Sequence, residues 1–159
     1  MLKNKNVLYY SMNLVKSIEQ YNDKSIFFCE PIKNNIMSDG NFIRILYSSQ
    51  QFILNGIYLL INLNDITCEK FYSKYKCNFS ISNHKDIIDN LKIIEENLLK
   101  KYKTNKIPSY KIYEQIKSGY IKIFTDVGNK SHSSFILKIS GIWETQTNYG
   151  LTYKFLKIN

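Results

Sequence analysis

The stretch "KFYSKYKCNFSISNHKDIIDNLKIIEENLLKKYK" (70–103) changes its period partway along. Over 70–81 the residues alternate. Lys70, Tyr72, Lys74 and Lys76 fall on one side of an extended chain; Phe71, Ser73, Tyr75, Cys77 and Phe79 fall on the other. From Asn83 to Lys103 the apolar positions Ile87, Leu91, Ile94, Leu98 and Tyr102 recur at three- and four-residue steps, and Ile88 and Leu99 widen the stripe. That is the pattern of an amphipathic helix. Asn83 is placed to cap it, with Asp86 in the first turn and Lys100, Lys101 and Lys103 in the last, as the helix dipole favours. Asp86, Asp89, Glu95 and Glu96 read as its solvated face. The stretch therefore predicts a strand feeding a long helix.

Strand signals flank this unit on both sides. Before it lie 24–32, ended by Pro31; 41–49, after the turn signal Asp39-Gly40; and 52–63, where Gly56 suggests a bulge. After it lie a short helix or irregular lead-in at 109–119, following Pro108, and strands at 119–127, 133–145 and 150–158. Asn148-Tyr149-Gly150 supplies a tight connection between the last two. Residues 1–23 read as an N-terminal arm, with a short strand near Val7–Tyr10. Strands, one long helix, then strands again predict a mainly β, antiparallel domain with a helix at about 83–103. A barrel with its helix between the third and fourth strands is the OB-fold order. An open antiparallel sheet packed on the helix, and a two-sheet sandwich, are the alternatives.

Composition narrows the function classes. A chain of 159 residues with 44% hydrophobic content can build one domain with a real core. The formal net charge is +9, which points toward an anionic partner. Alanine is absent and Arg44 is the only arginine, while Asn, Ile, Lys, Tyr and Phe are abundant. Codon bias toward A and T explains lysine replacing arginine. It does not explain why acids number 13 against 22 basic residues. The arginine that persists at 44 suits a phosphate contact or a fixed ion pair.

Cys29, Cys68 and Cys77 form no metal-binding spacing and read as free thiols of a reducing compartment. The N-terminus lacks the apolar core of a signal peptide, and the longest apolar stretch, 52–63, is too short to span a bilayer. The expectation is an intracellular protein without a membrane partner. His84 and His132 stand alone, no nucleotide, metal or hydrolase motif occurs, and the acids are scattered. The reading is non-enzymatic, with no cofactor and no metal.

What the strands do carry is lysine interleaved with aromatics. Besides 70–76, Tyr120, Lys122 and Phe124 share a face, and Lys138 and Lys154 lie on the closing hairpin. Single-stranded nucleic acid is held by this combination, cations tracking phosphates and rings stacking on bases. The plain alternative is that rings fill the core and lysines guard sheet edges. The contact candidates are Arg44, Lys70, Lys74, Lys76, Lys122, Lys138 and Lys154 for phosphates, with Tyr47, Tyr72, Tyr120, Phe124 and Trp143 for stacking. Along the closing hairpin, Phe135, Leu137, Ile139 and Trp143 form an apolar face broken at Gly141, where a bend could turn Trp143 outward.

The segments "FIRILYSSQQFILNGIYLLINL" (42–63) and "FILKISGIWETQTNYGLTYKF" (135–155) resemble short proteins of the nucleocytoplasmic large DNA viruses. That group is similar to the OB-fold single-stranded DNA-binding proteins of viral replication. The resemblance implies a role in viral DNA replication, in the host cytoplasm or at the viral replication site. Its competitor is a structural or assembly protein, or a subunit of a replication or transcription complex, acting through protein contacts or through self-association at an edge strand.

Overall fold

A computed structural model describes residues 15–33, 40–125 and 129–158, and of 129–132 the backbone alone. The expected strand near Val7–Tyr10 and the turn residue Asp39 lie outside the described residues. Two long strands organise the rest: β5 (Ile57–Phe71) and β9 (Asn129–Glu144). They run antiparallel from Ile57 opposite Ile139 to Thr67 opposite Asn129. Their inward side chains, Ile57, Leu59, Ile61 and Leu63 against Phe135, Leu137 and Ile139, are all buried. Alternating β-branched and apolar residues form strands here because one pleated face can be wholly desolvated.

Shorter strands complete one sheet. β1 (Ile26–Phe28), β2 (Ile32–Lys33) and β4 (Ile53–Leu54) flank β3 (Asn41–Ser48), which pairs with the end of β9. β6 (Lys74–Asn78) pairs with β5 and with β8 (Tyr120–Ile123). β10 (Asn148–Lys157) pairs with β9 and, through its first residues, runs parallel to β7 (Ile107–Ser109). The sheet is mainly antiparallel, as expected. Its path β1-β3-β9-β5-β6-β8 ends at β8 without returning to β10, so hydrogen bonding leaves it open and the expected barrel is not closed.

Two irregularities decide which side chains face out. Asp65 has φ 51°, and there the buried set of β5 switches from odd positions, ending at Leu63, to Ile66. Aspartate tolerates this left-handed conformation better than most residues. In β9, Leu151 faces Ile142 but Tyr153 faces Ile139, so the strand carries one extra residue near Ser140–Gly141. Beyond that bulge Ile142 and Glu144 become the buried positions. A Cβ on Gly141 would collide with the Ile43 carbonyl and the Phe42 ring, so the bend requires glycine.

The long helix is α1 (Lys85–Lys101), which buries Ile88, Leu91, Ile94, Leu98 and Leu99. Its cap differs from expectation: a single 3-10 turn, Ser82–His84, precedes it, and His84 rather than Asn83 occupies the cap position. His84 is buried; its Nε2 accepts from the Asn64 amide at 2.9 Å, and Nδ1 lies 2.7 Å from the Ser80 carbonyl, which fixes the proton on Nδ1. Glu95 also departs from expectation. It is fully buried, and its two carboxylate oxygens accept from the amides of Ile112 and Tyr113 at 2.9 Å each. These open the short helix α2 (Lys111–Ile116), which has no side-chain cap of its own. Desolvation raises the Glu95 pKa against the pull of those two amides.

The largest correction concerns 70–81. These residues do not form one strand. β5 ends at Phe71, Tyr72 and Ser73 make a two-residue loop, and β6 returns with Phe71 opposite Lys74 and Cys68 opposite Cys77. Cys68 and Cys77 form a disulfide rather than staying free, because the hairpin brings together residues that a straight strand would hold far apart. Cys29 is the free cysteine. Among the described residues no helix is long and apolar enough to cross a membrane.

Candidate nucleic-acid interface

The hairpin sorts the lysines of 70–76 differently from a straight strand. Directly paired residues in an antiparallel ladder point to the same side. Cys68 faces Cys77, which is fully buried, so Lys70 and Tyr75, two positions along, share that side. Phe71 with Lys74, and Glu69 with Lys76, point outward. Lys70 therefore leaves the group in which the alternation placed it. β8 continues the outward face. Lys76 pairs with Lys122 and Asn78 with Tyr120, while Ile121 and Ile123 point into the core.

The outward rings and ammonium groups interlock. Lys74 Nζ lies 5.2 Å from the Phe124 ring centre, Lys76 Nζ 4.7 Å from Tyr120, and Lys122 Nζ 5.1 Å from Phe71 and 5.8 Å from Tyr120. These are cation–π distances. Two ammonium groups stand opposite each other at Lys76 and Lys122, an arrangement that destabilises a sheet on its own. The ion pairs among the described residues, Lys92–Glu96, Lys106–Glu144 and Lys111–Glu114, include none of these lysines. Glu69 stands across from Lys76 on the outward face but forms no ion pair with it.

The loop adds a further ring. Tyr72 is 86% exposed with φ 55°, a conformation that costs about 1 kcal/mol for a residue with a Cβ. Its ring meets Phe71 edge-on at 4.8 Å. Phe71 was absent from the expected contacts, because the straight-strand reading turned it inward. At 44% exposure it belongs with Tyr72 and with Phe124, which is 61% exposed.

Lys138 and Lys154 join from the far side of the sheet. Tyr58, Lys138 and Lys154 form one cross-strand row on the outward face, and Lys138 Nζ sits 5.5 Å from the Tyr58 ring. Lys154 lines the same depression, about 250 Å³, as Lys74, Lys122 and Phe124. The sheet has curled until the outward lysines of β8 and β10 meet. A belt of Lys76, Lys122, Lys74, Lys154 and Lys138 results, with rings under or beside its members. Arg44 stands beside the belt's end. Its Nη1 donates to Asn55 Oδ1 at 2.6 Å, its guanidinium lies 5.8 Å from the Phe42 ring, and the next residue, Gly56, lies against the Lys138 side chain.

Two expected stacking rings lie elsewhere. Tyr47 is 5% exposed; its ring belongs to the core and its hydroxyl accepts from the Asn22 amide at 3.2 Å. It falls on the buried side of β3 with Ile43 and Ile45. Trp143 does leave the inward face at the Gly141 bend, but its ring then seats over Gly150, where a Cβ would come within 2.6 Å of it. It is a half-buried packing residue beside Phe42.

The remaining polar clusters are structural. Burial opposes ionisation of Glu144, but hydrogen bonds from Asn41, Lys106 and Tyr102 outweigh it and hold the carboxyl below its usual range. The His132 side chain lies outside the described residues. Among the described residues no three His, Cys, Asp or Glu side chains group at metal-binding distance. No family model, no curated protein and no solved structure matches the chain.

Proposed function

We propose that the protein binds single-stranded nucleic acid, DNA in viral replication by the resemblance noted above, across the outward belt of β6, β8, β10 and β9. The observation that carries this is the face-to-face pair Lys76–Lys122, set among exposed rings, with neither lysine in an ion pair and one acid, Glu69, across the ladder from Lys76. A fold gains nothing from two opposed ammonium groups unless an anion sits between them. Phosphates supply that anion, and Phe71, Tyr72, Tyr120 and Phe124 supply flat faces for unpaired bases. Strands spaced about 4.8 Å apart make the belt long enough for about four nucleotides. We read the curl as an OB-like barrel with one seam left open, between β8 and β10.

Fluorescence anisotropy with labelled oligo-dT and a duplex of equal length, at two salt concentrations, tests this. Four or so phosphate contacts predict a log–log salt slope of about −3 for the single strand. Absence of binding at low salt would sink the proposal. Equal affinity for duplex would remove the stacking part and leave a charge-driven one.

A protein contact is the second reading, and a separate region favours it. Phe27, Ile32 and Ile53 are each more than half exposed on the short strands around β3, at the opposite end of the strand order from β8. Such apolar exposure at a sheet margin suits a partner subunit or a second copy. Concentration-dependent sedimentation of wild type and Phe27→Ser tests it; a monomer at all concentrations would leave self-association without support.

A further inference from the structure

The open seam has the features of a ligand site. The far edge of β8 has no strand partner among the described residues, and β10 beyond Gly150 has none on the side away from β9. Through this gap the rings of Tyr153 and Phe155, which otherwise point inward, form the floor of the depression. The two rings meet edge-on, 5.9 Å apart. One end is closed by Gln115, whose Oε1 accepts from the Tyr153 hydroxyl at 2.6 Å. The lips carry Lys74 and Lys122 on one side and Lys154 on the other, with Phe124 exposed beside them. Aromatic floor, cationic lips and unpaired backbone edges occur together.

The geometry points to a nucleotide subsite: one base enters the seam between β8 and β10, and its phosphate is held by Lys122 and Lys154 across the gap. This rests on the single-strand reading and sharpens it, because the depression at the seam gives a base a place to be enclosed beside the belt. Charge favours this occupant over a peptide strand. An extended peptide could pair with the free edges of β8 and β10, but it would leave three ammonium groups on the lips without counter-ions. A nucleotide satisfies both, since the free backbone groups can also hydrogen-bond the base edge.

The test uses the whole chain and thymidine 5′-monophosphate, thymidine and inorganic phosphate as probes, read by NMR of side-chain and amide signals, beside oligo-dT anisotropy. The monophosphate is expected to shift Gln115, Tyr153 and Lys154 signals at millimolar concentration, and thymidine alone or phosphate alone to do so at least about fivefold more weakly. Lys154→Ala, an exposed substitution, is expected to abolish those shifts and to weaken oligo-dT binding about five- to tenfold. Wild-type oligo-dT binding with no monophosphate shift at the seam, and none lost in Lys154→Ala, overturns the subsite while leaving the belt standing. Absence of oligo-dT binding overturns the belt alone if the monophosphate still shifts the seam. Concentration-dependent shifts of β8 and β10 amides without any nucleotide would mean that a protein strand fills the gap, and would overturn the subsite.

Discussion

The two long hairpins, β5–β6 and β9–β10, are both rich in lysine and aromatic residues, yet their turn ends differ. In β9–β10 the turn and the rings beside it are seated, and only Lys138 and Lys154, an opposed pair, reach the outward belt. The loop is held by the Thr145 hydroxyl, which accepts from the amides of Thr147 and Asn148. Trp143 covers Gly150, and Tyr149 donates to the Leu99 carbonyl of α1 at 3.0 Å. In β5–β6 the special features are left outside. The loop residue Tyr72 holds a strained backbone and an exposed ring, and Lys76 stands between Glu69 of β5 and Lys122 of β8 without closing an ion pair. A disulfide ties the arm together beside its ladder and the buried side of β6. Interleaved lysine and aromatic residues therefore do not mark a surface by themselves. What marks it is rings that stay exposed and ammonium groups that the fold leaves outside any ion pair.

That contrast can be broken most sharply by charge removal. Replacing Lys74, Lys76 and Lys122 together with alanine should lower oligo-dT affinity about a hundredfold and flatten the salt slope toward about −1. Thermal stability should hold or rise, because opposed ammonium groups are gone. Replacing Lys157, on the closing hairpin, should change affinity less than about twofold by the same anisotropy assay. Equal losses from both would erase the distinction between the hairpins.

Next in size is the disulfide. Cys68→Ser with Cys77→Ser closes no loop in the unfolded chain and should cost about 2–3 kcal/mol, read by denaturant titration. Oligo-dT affinity should fall with it if the arm loosens. No change in stability would mean that the ladder alone holds β5 to β6.

Tyr72→Gly separates strain from function. Glycine relieves the left-handed backbone, so stability should rise by about 1 kcal/mol, while oligo-dT binding weakens about fivefold through loss of a ring. The smallest expected effect lies on the seated hairpin. Glu144 has a depressed pKa in the folded state, so its contribution is present above the ordinary carboxylate value and is lost as pH falls through the lower folded value. The melting temperature of Glu144→Gln should sit below wild type at neutral pH and converge with it in the acid range below 4.5. A constant gap would assign the loss to packing.

The contrast also shows what could be read from residues alone. The helix was legible, because Leu91, Ile94 and Leu98 repeat at helical steps with Ile87, Ile88 and Leu99 beside them, whereas β5 was legible only as far as Leu63 and runs on to Phe71. The outward turn of Trp143 was legible as a condition, since Gly141 marked the bend. The β5–β6 turn was hidden because Tyr-Ser carries none of the residues that announce a left-handed loop position. The disulfide and the true partner of Lys74 disappeared with it. Glu95 was misplaced for another reason. Its partners are two amides on α2, which only the tertiary fold brings to it. Tyr47 alternates correctly in β3, but alternation alone does not say which side meets the core.

The most direct measurement is photocrosslinking of oligo-dT to the full chain, followed by peptide mapping. Binding at the outward belt predicts adducts on the peptides carrying Phe71 and Tyr72, or Tyr120 and Phe124. Adducts confined to the peptide carrying Phe42 or Trp143, with the 70–76 and 120–124 peptides unmodified, would contradict it.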